Sequence, residues 1–251
     1  MKKLYSFPAV IELESVDSTN EYAKKLLNKG DVEQGTIVIA KSQLWGKGQD
    51  GNFWESEPDK NLTFSLILYP DFLPAEKQFQ LNKIVSLAIC DFVKTIVEQN
   101  KVSIKWPNDI YVDDKKAAGI LIENTIAGNT LKTVVVGIGL NVNQLVFKSD
   151  APNPVSLKNV TDKDFDLQDC LGDLYLSIEN RYWQLKNNSE DIINQDYLDS
   201  LYRVGVMAKY EYNKELIEAK ITGISPFGKL ILETSDKNTL ECDMKELAFI
   251  L

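Results

Sequence analysis

The sequence predicts an α+β fold: a mixed, largely antiparallel sheet backed by helices, followed by a small C-terminal β-barrel. Three observations predict it. One long segment repeats its apolar residues at helical spacing, the segments after it are short apolar strands joined by tight turns, and beyond Gly205 the texture changes to short strands alone. With 251 residues and 44% hydrophobic content, the chain can bury one large core and a small satellite.

Ser18-Thr19-Asn20-Glu21 reads as a capping box, and Tyr22, Ala23, Leu26 and Leu27 give the following helix one apolar face that stops at Gly30. Residues 36–40 and 61–69 read as buried strands, joined by an irregular glycine-containing connection over 42–60 that is too long to be idle. Residues 76–100 carry Leu81, Ile84, Val85, Ala88, Phe92 and Val93 at helical spacing and form the core helix behind the sheet. Strands are expected at 103–105, at 109–112 after Pro107, at 118–123 and at 133–138, with a hairpin turn at Asp113-Asp114-Lys115. Residues 167–186 and 190–202 are helical in pattern. A boundary near Val204 divides a larger unit, 1–204, from a smaller one, 205–251, in which four or five short strands suggest the barrel.

Composition excludes several classes of function. The 28 Lys+Arg against 37 Asp+Glu leave a formal net charge of -9, the wrong sign for a partner that is a phosphate backbone, so no nucleic acid is expected. The 3 cysteines lie far apart and suggest buried thiols rather than a disulfide framework or zinc site. Met1-Lys2-Lys3-Leu4-Tyr5 leads into no apolar run before Glu12, so no secretory signal and a cytoplasmic location are expected; no stretch approaches the roughly 20 apolar residues of a membrane span. The chain has no histidine. The usual general base, the usual metal ligand and every Ser-His or Cys-His pair are therefore missing, and chemistry must run on Lys, Asp, Asn, backbone amides and a bound cation. That profile favours activation through phosphate chemistry over hydrolysis.

Gly46-Lys47-Gly48-Gln49-Asp50-Gly51 matches GxGxxG after a strand, yet it continues into Asn52-Phe53-Trp54 and a second strand, not into the helix a dinucleotide fingerprint must open. The kinase glycine loop fails for want of its partner motifs. What remains is a glycine loop whose amides and Lys47 can wrap an anion, although the same pattern alone also fits an ordinary surface loop. Lys105-Trp106-Pro107-Asn108-Asp109 is more specific: Asp109 can hold a magnesium ion and Lys105 can face phosphate. Lys116 starts a strand that returns antiparallel and so shares a sheet with Asp109. In the strand ending Gly137-Ile138-Gly139-Leu140-Asn141, the glycines leave room for a flat ligand, or merely for a neighbouring side chain, and Asn141 offers a donor and an acceptor to a nucleotide.

In this order, Ser18-Thr19-Asn20, Gln43 ahead of GKGQDGNFW, KWPND, KKAAGILIE and GIGLNVN resemble the catalytic core of biotin protein ligases, over about residues 10–145, with the tail resembling the SH3-like barrel of many members. The resemblance implies the class II aminoacyl-tRNA synthetase/biotin synthetase-like fold and an enzyme that uses ATP and Mg2+ to activate biotin as biotinyl-5'-AMP, with release of pyrophosphate. It then implies transfer to a lysine of a biotin carrier domain of the acetyl-CoA carboxylase type. Ser18, Thr19 and Gln43 would bond the ureido ring of biotin; Gly46, Lys47, Gly119 and Gly139 would line its pocket; Lys116 would meet its carboxylate. Trp54, Lys105, Asn108, Asp109 and Asn141 would surround the adenylate and its magnesium. Lys116, Asp109 and Lys105 are the catalytic candidates, Asp109 as the carboxylate nearest to accept the proton of the attacking lysine. The family loop usually reads Gly-Arg-Gly-Arg, and here Lys47 and Gln49 stand in place of both arginines, so two guanidinium forks are lost. Because the pattern starts at Ser18, the sequence reads as the monofunctional type without an N-terminal DNA-binding domain. The alternatives are a lipoate protein ligase and a non-catalytic biotin-binding regulator. An exposed sheet edge serves either a homodimer or an acceptor strand, and periodicity does not separate the two.

Overall fold

The computed structural model describes residues 7–149 and 152–250, with the side chain of Asp50 excepted. The Met1-Lys2-Lys3-Leu4-Tyr5 segment lies outside the described residues. Seven strands form the large sheet: β1 (Val10–Val16), β2 (Ile37–Gln43), β3 (Leu62–Leu68), β4 (Val102–Lys105), β5 (Asp109–Val112), β6 (Lys115–Ala127) and β7 (Thr130–Leu140), in the order β1-β2-β3-β7-β6-β5-β4. Only the β1–β2 pair among them is parallel, joined by the crossover helix α1 (Thr19–Leu27); the rest are antiparallel, which makes the sheet mixed.

Both faces of the sheet are covered, and the period-2 alternation along the strands shows how. Val38, Ile67 and Val135 point to α1 and cluster with its Ala23, while their neighbours Ile37, Leu66, Val134 and Val136 point into the main core. That core is closed by α2 (Phe79–Lys94), α4 (Leu167–Lys186) and α5 (Glu190–Asp199). Strand β3 lies between the layers and is buried along its whole length. The three cysteines are free and buried. Among the described residues no helix is long and apolar enough to cross a membrane.

A second, five-stranded antiparallel sheet comprises β8 (Ala208–Tyr212), β9 (Glu215–Ile224), β10 (Leu230–Thr234), β11 (Thr239–Cys242) and β12 (Leu247–Phe249), in the order β11-β10-β9-β8-β12. It docks on the large unit at the KWPND segment: the Trp106 indole N–H donates to the Gly228 carbonyl at 2.9 Å, and Gly228 lies so close to the Phe79 ring that a side chain there would collide with it.

Four elements differ from expectation. β1 was not expected, because Glu12 and Glu14 break the apolar run of a strand that is half-exposed at the sheet edge. The short helix α3 (Leu157–Thr161), capped by Ser156, carries no motif that announces it. The core helix ends at Lys94, not near Asn100: the Thr95 hydroxyl donates to the Phe92 carbonyl, and buried Val97 belongs to the following turn, which prolongs the apolar pattern without prolonging the helix. The hairpin turn is tighter than expected, since Asp113 takes φ 53° and Lys115 already belongs to β6.

Candidate active site

Strand register builds the site. Ser65, Gly137 and Leu121 form one row across β3, β7 and β6, and Thr63, Gly139, Gly119 and Asp109 form the next row across β3, β7, β6 and β5. Glycines at 137 and 139 recur two residues apart and so clear the same face of β7. A Cβ on Gly137 would lie 2.5 Å from the Asn20 amide oxygen. A Cβ on Gly139 would fall inside the indole of Trp54, and one on Gly119 would lie 3.0 Å from the same ring. One row therefore receives a side chain from α1, and the next receives one from the glycine loop.

The first end of the site is polar and buried. Ser18 is the N-cap of α1 in extended geometry (φ -154°, ψ 133°), but its side chain makes no cap hydrogen bond, contrary to the capping box expected. Gln43 from the end of β2 takes over that work: its Oε1 accepts from the Thr19 backbone N–H at 2.8 Å and from the Thr19 hydroxyl at 3.2 Å. Glu21, the other half of the expected box, instead bonds the ammonium groups of Lys24 at 2.8 Å and Lys47 at 2.6 Å. These two bonds hold the Glu21 carboxyl down at about 2. Ser18, a residue only 3% exposed, thus lines the cavity with its hydroxyl not used in capping.

The second end is charged. The loop folds back as a small hairpin in which Trp54 N–H donates to the Gly46 carbonyl at 2.8 Å and Gly48 N–H to the Asn52 carbonyl at 2.7 Å. This lays the Trp54 ring on Gly119 and Gly139. The indole N–H is buried without a hydrogen-bond partner among the described residues. The Lys116 ammonium stands 5.6 Å from the centre of this ring and pairs with Asp109 at 2.7 Å.

Ser18, Thr19, Gln43, Lys47, Trp54, Asn108, Asp109, Lys116, Gly119 and Gly139, all named from sequence, line one cavity of about 180 Å³. Three other residues named from sequence do not line it. Gly46 backs onto the Trp54 carbonyl, 2.5 Å from where its Cβ would stand. The Lys105 ammonium sits over the rings of Tyr111 at 5.5 Å and Phe249 at 5.2 Å, where burial pushes it below the usual lysine range. Asn141 is 2% exposed; its amide N–H donates to the Val155 carbonyl, and its Oδ1 has no partner among the described residues. Sequence reasoning missed Ser65 and gave Asn20 no role beyond its motif, while of the two readings open for Gly137 and Gly139, room for a ligand or for a neighbouring side chain, Asn20 and Trp54 fill the space. Ser65 gave a usable signal as a polar residue inside the apolar run Leu62-Thr63-Phe64-Ser65-Leu66-Ile67-Leu68.

Among the described residues no group of three or more His, Cys, Asp or Glu side chains could hold a metal ion by itself. Asp109 is the one carboxylate in the described cavity lining. One carboxylate completed by substrate phosphate oxygens and water is a normal donor set for Mg2+, so the residues present fit that ion.

The sequence pattern of the biotin/lipoate A/B protein ligase family matches residues 12–141. The biotin--[acetyl-CoA-carboxylase] ligase of Paracoccus denitrificans is 32% identical over 164 residues, 63% of this chain and 67% of that protein. The bifunctional ligase/repressor BirA of Bacillus spizizenii is 29% identical over 226 residues, 88% of this chain and 68% of that protein. The structure of a biotin protein ligase from Aquifex aeolicus in complex with biotin and ATP superposes with a TM-score of 0.79 at 28% identity, covering 96% of this chain and 98% of that one.

Proposed function

Because the chain belongs to the biotin/lipoate A/B protein ligase family, we propose that it activates biotin with ATP as biotinyl-5'-AMP and transfers the biotinyl group to a lysine of a biotin carrier domain. The observation that carries the proposal is the polarity of the cavity. One end offers neutral hydrogen-bonding groups, Ser18, Thr19 and Gln43, and the same cavity offers the ammonium of Lys116; the slot along the sheet at Gly119 and Gly139 is covered by the Trp54 ring, which a ligand lying there would displace. A ligand with a polar ring at one end and a carboxylate at the other matches that arrangement.

In this reading Ser18, Thr19 and Gln43 bond the ureido ring, Lys47, Gly119 and Gly139 line the slot, and Gly46 shapes the loop above it. Lys116 exchanges its bond with Asp109 for the biotin carboxylate. The carboxylate oxygen attacks the α-phosphorus of ATP, the bond to pyrophosphate breaks, and a mixed anhydride forms. Two anions must be brought together, and the charges of Lys116, Lys47 and, outside the cavity lining on β4 opposite Asp109, Lys105 offset their repulsion where little water competes. Asp109, released from Lys116, would hold Mg2+, which supplies charge neutralisation at the phosphates when bound. Trp54 and Asn108 would stand beside the adenylate, with Asn141, buried at the end of β7 outside the cavity lining, behind them. The amine of the acceptor lysine then attacks the acyl carbon, AMP leaves, an amide forms, and the amine proton passes to Asp109. The glycine loop covers the anhydride against hydrolysis.

The same proposal assigns the chemistry to residues 1–204 and leaves 205–251 as a separate SH3-like unit, with a cytoplasmic carboxylase carrier as the acceptor and a homodimer as the alternative use of the sheet edge. Pyrophosphate release from ATP and Mg2+ tests it, measured with biotin, with lipoate and with neither, for the wild type and Lys116→Ala. Biotin-dependent release that the substitution abolishes is the expected result. Lipoate-dependent release moves the substrate within the family, and no release in any arm removes the activity.

A further inference from the structure

Thr19 touches the cavity, but what stands behind it decides whether its hydroxyl can donate or accept. Ser65 on β3 is fully buried and has two partners, Thr19 Oγ1 at 2.8 Å and Asn20 Oδ1 at 2.6 Å. Asn20 is 3% exposed, and the orientation of its amide is fixed from the other side. Its Nδ2 donates to Glu123 Oε2 at 2.9 Å and to the Leu121 carbonyl at 3.3 Å, and both of those groups only accept. Glu123 is held in turn by Lys24 at 2.8 Å. The Asn20 oxygen must therefore face Ser65, and an amide oxygen cannot donate.

Ser65 has a single proton, so that proton goes to Asn20. The Thr19 hydroxyl proton then has two internal acceptors, Ser65 Oγ at 2.8 Å and Gln43 Oε1 at 3.2 Å. Whichever takes it, the proton is used inside the protein and a lone pair is left toward the cavity. Nearby Ser18 has no hydrogen-bond partner for its hydroxyl among the described residues and remains able to donate. Gly137 is part of the device, because any side chain there would displace the Asn20 amide.

We propose that Ser65 and Asn20 are positioning residues that hold the Thr19 hydroxyl as an acceptor, so that this end of the cavity selects a ring N–H. The proposal rests on the biotin reading above and deepens it: it explains how a family that spans biotin and lipoate can refuse a dithiolane ring, which has no N–H to offer.

The test is calorimetric titration of the full chain with biotin and with the two cyclic carbamates in which oxygen replaces one or the other ring N–H. The wild type should prefer biotin to one of the carbamates by about a hundred-fold, because a site built around a donor leaves an acceptor facing an acceptor when the donor is removed. Ser65→Ala should weaken biotin about ten-fold. It should also reduce the preference over that carbamate about ten-fold, because only the longer 3.2 Å bond to Gln43 Oε1 then competes for the Thr19 proton, which turns outward more readily. Ser65→Cys, slightly larger and a weaker donor, should fall between; it carries the test if Ser65→Ala does not fold. Equal weakening of biotin and carbamate, or no change in either, overturns the relay and leaves the biotin reading standing. A wild type that binds lipoate and not biotin overturns both.

Discussion

The two ends of the cavity are built on opposite principles. At the Ser18, Thr19 and Gln43 end, groups sit on the sheet and on the first turn of α1; Ser18 and Thr19 are almost wholly buried, Gln43 is half-buried, and apart from the Ser18 hydroxyl they already have their partners. Elsewhere in the cavity the charges are partly exposed and bonded to carboxylates: Lys116 to Asp109 beside the Trp54 ring, and the loop residue Lys47 to Glu21 on the first turn of α1. Recognition by neutral hydrogen bonds tolerates being set in advance, since ordering it costs nothing further on binding. Positive charges near a nonpolar slot are held by counter-charges until an anionic substrate replaces them. The polar end should therefore govern which ligand binds, and the charged end how fast it reacts.

The largest effect that would sharpen this contrast is expected from Lys116→Ala. Removing the ammonium should lower kcat/KM for pyrophosphate release about a hundred- to a thousand-fold while the calorimetric affinity for biotin changes far less; equal losses in both would erase the distinction between the two ends. Gly139→Ala comes next. The new methyl group collides with Trp54, so the ring must leave the slot, and kcat/KM should drop on the order of ten-fold through misplaced loop geometry, with a change in tryptophan fluorescence as the direct readout. Gln49→Arg restores one guanidinium fork to the loop, at the cost of the 2.9 Å contact between the Gln49 amide and Met244 Sδ. It should lengthen the half-life of bound biotinyl-adenylate roughly five-fold, measured by chasing the complex with unlabelled biotin.

The smallest effect concerns Glu21. Its carboxyl lies at about 2 in the folded chain against 4.5 when unperturbed. A depressed carboxyl contributes stability that is fully present above about pH 4.5 and disappears as the pH falls toward 2. With the side chain 34% exposed, solvent screening limits that contribution to about 0.5 kcal/mol. Glu21→Gln should therefore lower Tm by a degree or two at pH 7 and by nothing near pH 2. A constant difference across the titration would mean that Glu21 acts through packing and not through its bonds to Lys24 and Lys47.

Much of this was legible in the sequence. Periodicity located the elements around the site. The motif glycines marked the slot, and ten of the residues singled out line one cavity, because strand alternation and loop composition are local properties that a linear pattern records directly. The parts that were not legible depend on partners far apart in the chain. Ser18 resembles an N-cap in every local respect, yet Gln43, 24 residues after Thr19, supplies the acceptor. Lys105 sits beside Asp109 in register, yet its ammonium turns to Phe249 on the second sheet, where aromatic faces stabilise a cation that has left water. Asn20 and Glu123 are 103 residues apart and meet only because β6 and β7 pair in one particular register. The sequence by itself determined which chemistry the chain can carry: lysines, one well-placed aspartate and amides, with no histidine. Three-dimensional packing decided which of those groups face the ligand and with which polarity, since a hydroxyl or an amide acquires a direction only from the buried neighbour that takes its proton.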